Sequence, residues 1–231
     1  MKNFTLDGRL SSAAKFVRQG ARFADIGTDH AHLPIFLLTR GNIDYAVCSD
    51  INEGPLASAR ENAKAADVFE KIDFVLANGA EGLYDKDITD VAICGMGGEL
   101  IAEIIEKAPF LRQEGIRLIL QPMSKIAATR ITLARLGYNV IAEEYSSSAG
   151  KLYVTLAADY SGICREIDEN EAEFGKEEFL SSISDIQRDF LTKKAKALDR
   201  AAKGKILGGD ISPKEKSLYE YIVKILSKET E

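Results

Sequence analysis

Short β-rich segments alternate with segments of helical length along the first 160 residues, and this alternation constrains the fold more than any other feature of the sequence. Seven segments have the composition of strands, and helix-sized segments separate the first five. A strand, a crossover helix and a further strand are typical of a parallel sheet. The seven predicted strands are Arg22–Ile26, Tyr45–Ser49, Ile72–Leu76, Asp90–Cys94, Arg117–Leu120, Asn139–Tyr145 and Leu152–Ala158.

Proline and glycine mark the ends of the predicted helices. Pro34 and Pro55 suit first helical turns, and Gly41 and Gly137 suit the position after a last turn. The loop Ser146–Gly150 is too short for a crossover helix, so the last two strands should form an antiparallel hairpin. The predicted helices are Pro34–Arg40, Pro55–Ala66, Gly98–Lys107 and Lys125–Leu136, preceded by a helix through Leu10, Ala13, Ala14 and Val17.

The chain changes character after Gly162, where strand signals vanish and charged residues accompany helical periodicity. Residues 166–178 hold seven acids and one lysine, whereas residues 188–205 hold seven bases and two acids. Two apolar stripes, separated by Gly208-Gly209-Asp210 and Pro213, would bury each other in a helical hairpin. We therefore predict two domains, residues 1–160 and a coiled-coil-like helical domain at residues 161–231. The stripes are Ile183, Ile186, Phe190 and Leu198, and Leu218, Ile222 and Ile225.

Composition excludes several classes of protein. Hydrophobic residues make up 45% and charged residues 29% of the chain, which is ordinary globular usage and not that of a disordered chain. Cys48, Cys94 and Cys164 form neither an even set nor a CxxC pair, so we expect reduced thiols. Because the sequence shows neither a signal peptide nor a long apolar segment, we expect a cytoplasmic protein with no membrane partner. The net charge of −6 argues against indiscriminate binding to polyanions but leaves a local basic patch open.

Polar or glycine residues occur at the end of each of the first five predicted strands, and both kinds of residue are unfavourable in an apolar core. In an open α/β sheet, ligands bind outside the carboxyl ends of the strands. The pattern therefore predicts a ligand crevice at this edge of the sheet. The strand ends read Asp25-Ile26-Gly27-Thr28-Asp29-His30, Asp50-Ile51-Asn52, Asn78-Gly79, Gly95-Met96-Gly97-Gly98 and Gln121-Pro122-Met123.

Charge indicates the class of ligand. Asp50 ends the second strand 25 residues after Asp25, at the position where a carboxylate accepts hydrogen bonds from a ribose diol. The first loop has one glycine where the dinucleotide fingerprint needs three, and Asp25 and Asp29 would repel a pyrophosphate. The same acids suit the ammonium and sulfonium groups of S-adenosylmethionine, so this cofactor is favoured over NAD and ATP.

Metal and hydrolase chemistry are less well supported. His30 and His32 are the only histidines of the chain, and with Asp29 they make too small a set for us to expect a metal. The sequence contains no G-x-S-x-G elbow, so a serine nucleophile is not supported. The amides of Gly95-Met96-Gly97-Gly98 could face an anion or a flat ring, or simply form a tight turn. The Asn/Asp-Pro-Pro-aromatic tetrad that grips exocyclic amines is absent here, which favours a ring nitrogen as methyl acceptor.

Several unusual strings occur in order between about Leu6 and Tyr160. They are Gly8-Arg9-Leu10, Ala24-Asp25-Ile26-Gly27-Thr28-Asp29-His30-Ala31, Leu33-Pro34, Ser49-Asp50, Glu53-Gly54-Pro55-Leu56, Gly95-Met96-Gly97-Gly98 and Leu118-Ile119-Leu120-Gln121-Pro122. Together they resemble the bacterial tRNA (adenine-N1)-methyltransferases of the TrmK family, which modify adenine 22 in the D-loop. The resemblance implies a Rossmann-like class I fold that uses S-adenosylmethionine, with a C-terminal helical domain that assists tRNA binding.

The resemblance also implies roles for individual residues. The residues that would bind the cofactor are Asp25, Gly27, Thr28, Asp50, Ile51, Asn78 and Gly79. The residues that would face the target base are Arg9, Asp29, His30, Gly95, Met96, Gln121 and Pro122. This chain departs from the family pattern at Ala77-Asn78-Gly79-Ala80, where Gly-Asp-Gly-Leu is usual, and at Met123, where asparagine is frequent.

The chemistry follows as a hypothesis. The adenine ring becomes cationic as N1 is methylated, so a carboxylate near the exocyclic amine would stabilise the transition state, and we assign Asp29 to this role. Basic residues would contact phosphates, although a solvated helix face is the alternative reading of any charge run. These residues are Lys15 and Arg18, with Arg9 and Arg22, in the leading segment, and Arg188, Lys193, Lys194, Lys196, Arg200, Lys203 and Lys205 in the tail.

Other functions remain open at this stage. The chain could methylate a small molecule, which would leave the basic tail without a purpose, or it could be a non-catalytic RNA- or cofactor-binding module. A nucleotide-dependent dehydrogenase is disfavoured by the missing glycines. We expect a monomer that binds tRNA.

Overall fold

The computed structural model describes residues 5–206 and 213–227, with side chains described outside 201–206. The side chains of Lys203 and Lys205 and the predicted break at Gly208-Gly209-Asp210 therefore lie outside the described part. The chain divides into two compact units, Met1–Glu166 and Ile167–Glu231. No helix within the described part of the chain is long and apolar enough to cross a membrane.

The first unit contains a seven-stranded sheet in the order β3-β2-β1-β4-β5-β7-β6. Strands β1 to β5 run parallel, whereas β7 pairs antiparallel with both β5 and β6. The predicted Rossmann-like sheet with a final antiparallel hairpin is therefore confirmed. The strands are β1 (Arg22–Ile26), β2 (Tyr45–Asp50), β3 (Ile72–Leu76), β4 (Asp90–Gly97), β5 (Arg117–Ser124), β6 (Tyr138–Ser148) and β7 (Lys151–Tyr160).

Helices connect all but one pair of consecutive parallel strands, and only the short 3-10 turn Glu81–Leu83 lies between β3 and β4. Helices cover the sheet, so the central strands are buried along almost their whole length. The helix termini follow local sequence signals: Gly41 and Gly137, each with a positive φ, come directly after the caps of α2 and α5. The helices of the first unit are α1 (Gly8–Phe16), α2 (His32–Thr39), α3 (Glu53–Ala65), α4 (Gly98–Lys107) and α5 (Ile126–Arg135).

The strand order reverses between β1 and β4. From β1 the chain continues outward through β2 and β3, and it then returns to place β4 on the other side of β1. The connections that follow β1 and β4 thus leave in opposite directions and open a crevice at the carboxyl ends of these two strands. This topology positions the candidate site.

The final hairpin is longer than the sequence indicates. A loop over Ser146–Gly150 was expected, but β6 continues to Ser148 and β7 begins at Lys151. The turn consists of Ala149 and Gly150 alone, both with positive φ angles of 48° and 74°. Two such residues form the tight turn that matches the twist of paired strands, so the serines remain in the ladder.

The second unit is helical, with α6 (Glu169–Phe174), α7 (Asp185–Ile206) and α8 (Pro213–Ser227). As predicted, α7 packs against α8, and Leu218, Ile222 and Ile225 are buried. The stripe predicted on α7 is partly wrong, because Ile183 precedes the helix and Ile186 is 38% exposed. The buried residues of α7 are instead spaced four positions apart, which places them on one face of the helix. It contains Gln187, Leu191 and Ala195.

Candidate active site

The loop after β1 folds across the end of β2. The amides of Gly27 and Thr28 both donate to the carbonyl oxygen of Ser49, over 2.7 and 3.0 Å. Gly27 has a φ of +74°, and a Cβ at this position would overlap the terminal methyl group of Met96. The positive φ explains the glycine, because other residues rarely adopt this conformation, whereas the overlap is only with the flexible end of the Met96 side chain.

Asp25 is a buried carboxyl group at the end of β1. Its side chain is held by Thr28, whose hydroxyl donates to Oδ2 over 2.7 Å. Burial raises the pKa of Asp25 to about 6, although the Thr28 hydrogen bond and the charge of Arg9 lower it, and the nearby Asp50 contributes to the increase. A cation placed beside Asp25 would favour its charged form.

A cavity of about 360 Å³ opens at the carboxyl ends of β1 and β4. It brings together residues that were predicted for two different roles, since both cofactor-binding and base-facing candidates line it. The cofactor-binding candidates in its wall are Asp25, Gly27 and Thr28, and the base-facing candidates are Arg9, Asp29, His30 and Gly95. Methyl donor and acceptor must meet at one point, so the shared cavity suits a transfer reaction.

The rim of this cavity carries Asp29 and His30. The side chain of Asp29 is 77% exposed, and its Oδ2 lies 3.3 Å from Nε2 of His30. The ring of His30 stacks on that of His32 at a centroid distance of 5.4 Å, and burial lowers the pKa of His32. Among the described residues, no group of three or more His, Cys, Asp or Glu side chains could hold a metal ion.

The other predicted cofactor residues lie along the same edge of the sheet but outside this cavity. Oδ1 of Asp50 accepts a hydrogen bond from the amide of Asn52 over 2.8 Å, and the neighbouring Ile51 is 63% exposed. Asn78 and Gly79 line a second cavity, of about 60 Å³, against α4. The structure therefore spreads these candidates from the end of β2 to the loop after β3.

Three predicted base-facing residues do not reach the cavity. Gln121 is completely buried, and its Oε1 accepts a hydrogen bond from the Gly95 amide over 3.2 Å. Met96 packs against Gly27, and Pro122 pairs with Met96 in the sheet. The expectation is wrong for Gln121, which has no exposed surface to offer a base because β5 continues past the predicted strand end. Met96 is half-buried and Pro122 is buried, and neither lines the cavity, so their role at the target base stays a prediction.

Comparison with known proteins places the chain in a family. The family described as methyltransferase domain matches residues 6–156. The tRNA (adenine(22)-N(1))-methyltransferase of Bacillus subtilis (strain 168) is 32% identical over 159 residues, which are 69% of this chain and 67% of that protein. The chain belongs to the tRNA (adenine(22)-N(1))-methyltransferase family.

Solved structures of this family resemble the whole chain. A candidate tRNA (m1A22) methyltransferase from Streptococcus pneumoniae has 32% identity and a TM-score of 0.86, covering 96% of this chain and 100% of its own. The same protein in complex with S-adenosyl-L-methionine gives a TM-score of 0.82 over 94% of this chain and 98% of its own. TrmK of M. capricolum, bound to S-adenosyl-homocysteine, has 26% identity and a TM-score of 0.77, covering 96% and 97%.

The predicted RNA contacts in the leading segment need correction. Arg18 donates two side-chain hydrogen bonds to Asp90 and others to the carbonyl oxygens of Thr89 and Gly115. Asp90 is fully buried at the first residue of β4, at the end of the strand opposite the cavity. Arg18 is therefore a structural partner of Asp90 and leaves the set of phosphate-contacting candidates. Lys15 is exposed but forms an ion pair with Glu144.

The basic residues of α7 differ in their surroundings. Lys194 pairs with Glu173 of α6 over 2.7 Å, and Arg188 is half-buried. Lys193, Lys196 and Arg200 are exposed and form no ion pair with any residue that the structure describes. Because these three lie three and four positions apart, they share one face of the helix.

The sequence analysis missed Asp7, which lies beside the site. Its Oδ1 caps α1 by accepting a hydrogen bond from the Leu10 amide over 2.8 Å, and its Oδ2 lies 3.5 Å from Nε of Arg9. An aspartate directly before a helical segment is a recognised start signal, and it could have been found. Its contact with Arg9 could not, because it depends on the orientation of both side chains.

Proposed function

We propose that the protein transfers a methyl group from S-adenosylmethionine to N1 of adenine 22 in the tRNA D-loop. The observation that carries the proposal is the acid-lined cavity at the carboxyl ends of β1 and β4, in a chain of this family. The named activity of the Bacillus subtilis relative and the cofactor bound by the Streptococcus pneumoniae relative support it. A monomer acting in the cytoplasm is part of the proposal.

The residues present fit this cofactor. S-adenosylmethionine supplies, when bound, an electrophilic methyl group on a cationic sulfur. Asp25 would hold the positively charged amino-acid end, because a buried carboxyl group is charged most readily beside a cation. Gly27 lines the cavity and has no side chain, so it would let the ligand approach the backbone. Oδ2 of Asp50, which accepts no hydrogen bond from any described residue, would receive a ribose hydroxyl.

The loop after β3 would complete the cofactor site. Asn78 and Gly79 lie at the end of the strand next to β2, as Asp50 does. The amide of Ala77 donates to the carbonyl oxygen of Asp50 over 3.0 Å, which ties the two loops together. Ile51, which directly follows Asp50 and is exposed, would offer an apolar face to a flat ring. The same arrangement makes a purely phosphate-bearing ligand unfavourable, because Asp50 and Asp25 are acids.

Asp29 would act on the target adenine. The ring gains positive charge as N1 is methylated, and a carboxylate near its exocyclic amine stabilises this charge more in the transition state than in the ground state. Asp29 lines the cavity that also contains Asp25, and its exposure leaves it accessible to an incoming base. His30, 3.3 Å from Oδ2 of Asp29, would hold the carboxylate on the rim.

Access requires the adenine to leave its stack, as is general for enzymes that modify a base. RNA affinity would come mainly from phosphate contacts, since folded RNA is recognised largely through its backbone and shape. Lys193, Lys196 and Arg200 form the exposed basic face that suits this role. The acidic total charge makes such local clustering necessary.

The test is methylation of defined substrates. Incubation with labelled S-adenosylmethionine and an unmodified tRNA transcript should place one methyl group per tRNA on adenine 22, located by primer extension or mass spectrometry. A transcript with guanine at position 22 should remain unlabelled, and a large excess of free adenosine should not compete. Methylation of adenosine at a rate comparable to that of tRNA would identify a small-molecule enzyme instead.

A further inference from the structure

The ladder between β4 and β5 contains a bulge beside the cavity. Cys94 pairs with Gln121 and Met96 pairs with Pro122, so Gly95 is the extra residue on β4. Gly95 has a φ of +81°, a conformation that suits glycine and is frequent at bulges. Pro122 contributes no N–H to the ladder, and beyond it the pairing continues only with a second shift of register, in which Gly97 pairs with Ser124.

Gln121 replaces the missing ladder contact. Its side chain is fully buried, its Oε1 accepts the Gly95 N–H over 3.2 Å, and its Nε2 lies 3.4 Å from the carbonyl oxygen of Pro122. Gly95 itself is exposed, so the group that would be left unsatisfied without this hydrogen bond is the acceptor oxygen of the fully buried Gln121. The hydrogen bond therefore stabilises the bulged conformation. The three residues Gly95, Gln121 and Pro122 thus form one local unit, which we call the bulge unit.

The bulge unit shapes the wall of the cavity. Gly95 lines the cavity, and the guanidinium of Arg9 lies against it, since a Cβ on Gly95 would be 2.8 Å from Nη1. The next residue, Met96, places its terminal methyl group against Gly27 in the loop after β1. A change in the bulge would therefore move both Arg9 and the Gly27 loop.

We propose that Gln121 is a positioning residue, which holds the Gly95 bulge and through it the wall of the cofactor cavity. The inference rests on the proposed function for the identity of the ligand. Gln121 makes no contact with the target adenine, because its side chain has no exposed surface and does not line the cavity. Its amide acts on the reaction only through the backbone of Gly95 and the side chain of Met96.

The substitution Gln121→Met tests this proposal, because methionine has a similar length and volume but offers no acceptor to the Gly95 N–H. Calorimetry with S-adenosylhomocysteine should show a Kd at least about tenfold higher than in the wild type, and kcat should fall. The Kd for unmodified tRNA, measured by filter binding without cofactor, should stay within about twofold. Weakened tRNA binding with unchanged S-adenosylhomocysteine affinity would show a base contact and overturn the proposal, as would two unchanged affinities.

A conservative variant and a matched control separate positioning from stability. Gln121→Glu, as the neutral carboxylic acid that full burial favours, keeps an oxygen acceptor for the Gly95 amide and a donor for the carbonyl oxygen of Pro122, and it should bind S-adenosylhomocysteine within about threefold of the wild type. Thr155→Val removes the buried hydrogen bond to Ser12, 2.8 Å long, elsewhere in the same unit. It should lower Tm without weakening S-adenosylhomocysteine binding. Equal loss of affinity in Thr155→Val and Gln121→Met would reduce the effect to general destabilisation and refute the proposal.

Amide hydrogen exchange provides a readout that does not depend on the reaction. The Gly95 amide should be protected in the wild type and in Gln121→Glu, and it should lose at least about tenfold of its protection in Gln121→Met. If Gln121→Met does not fold, the test rests on the Gly95 amide in the wild type and in Gln121→Glu. Exchange of that amide at the rate of an unprotected amide in these two proteins would contradict the proposal. A wild-type protein that binds S-adenosylhomocysteine but leaves tRNA unmethylated would refute the proposed function only. The differences in S-adenosylhomocysteine binding and in Gly95 exchange between the wild type and the Gln121 variants would still test the role of Gln121.

Discussion

The two units of the chain differ in whether they bury any of their charges. The first unit has exposed ion pairs but also buries charge: Arg130 and Glu143 form an ion pair with side chains only 3% and 1% exposed, and the buried Asp25 lines the cavity. The second unit has an apolar core, and its ion pair between Lys214 and Glu169 is exposed. Buried charges act strongly on one ligand at a fixed position, whereas exposed charges act weakly, at a distance and subject to salt. The first pattern suits a small cofactor and the second suits an RNA backbone.

The largest effect on catalysis should come from Gly27, which lines the cavity. Gly27→Ala should lower kcat/KM for tRNA methylation by about 100-fold, because the new Cβ takes the place of the Met96 methyl group beside the cavity and a side chain at a φ of +74° strains the loop that lines the site. Gly41→Ala is the matched control: Gly41 has a similar positive φ of 68°, but no atom lies within 4 Å of the added Cβ. It should cost stability without affecting kcat/KM. Equal losses in the two variants would assign the effect to backbone strain.

Substitution of Asp29, on the rim of the cavity, should affect kcat more than cofactor binding. Asp29→Asn should reduce kcat by about 30-fold, since the loss of one charged group that stabilises the transition state typically costs about tenfold or more. The Kd for S-adenosylhomocysteine should change by less than about threefold, because Asp29 is exposed on the rim. Parallel loss of both quantities would reassign Asp29 to the cofactor.

The buried acid should make cofactor binding depend on pH. In the free protein the pKa of Asp25 is raised to about 6, and a bound cation would lower it, so binding must expel the proton below that pH. The affinity for S-adenosylmethionine should therefore be constant above about pH 7 and fall by up to about tenfold per unit below pH 6. Calorimetry across this range measures the dependence.

Asp25→Asn provides the comparison for that pH profile. It should weaken S-adenosylmethionine binding by about tenfold at pH 8, because a neutral amide replaces a carboxylate beside a cationic ligand. Its affinity should also lose the dependence between pH 5 and 7 that Asp25 causes. His32 lines the same cavity and has a lowered pKa, so dependence that persists in the variant would belong to the histidine.

The smallest effect, and the one most sensitive to salt, should come from the second unit. Replacement of Lys193, Lys196 and Arg200 by glutamine should weaken tRNA binding by about five- to tenfold at low salt and reduce the slope of log Kd against log salt by about two to three. Lys194→Gln is the control, because Lys194 is paired with Glu173. It should have less than about a third of that effect. An unchanged slope in the triple variant would place the RNA-binding surface elsewhere.

Much of the fold was predictable because its signals are local. Both ends of Arg22–Ile26, Ile72–Leu76 and Gly98–Lys107 agree with the structure, since β-branched runs, glycine and helical periodicity mark them. Strands β4 and β5 extend three and four residues further than predicted, to Gly97 and Ser124. Their extension depends on mutual pairing, including a bulge that neither segment shows by itself.

The candidate site was predictable in its chemistry and less so in its geometry. Strand ends with Asp25, Gly27 and Asp50 indicate a ligand edge, because such residues are unfavourable in an apolar core. Exposure could not be assigned in the same way. Asp29 and Gln121 both follow predicted strands, yet the first is open to solvent and the second, which lies within β5, is fully buried.

The order of strands and helices, the acidic character of the ligand edge and the separation into an α/β part and a charged helical part can all be derived from the linear chain, since each depends on neighbouring residues. Tertiary structure alone decided that Arg18 pairs with Asp90, 72 positions away, and that Gln121 supports Gly95, 26 positions away. The physical reason is that the free energy of a polar group depends on its burial and its partners, and both are supplied by segments distant in sequence.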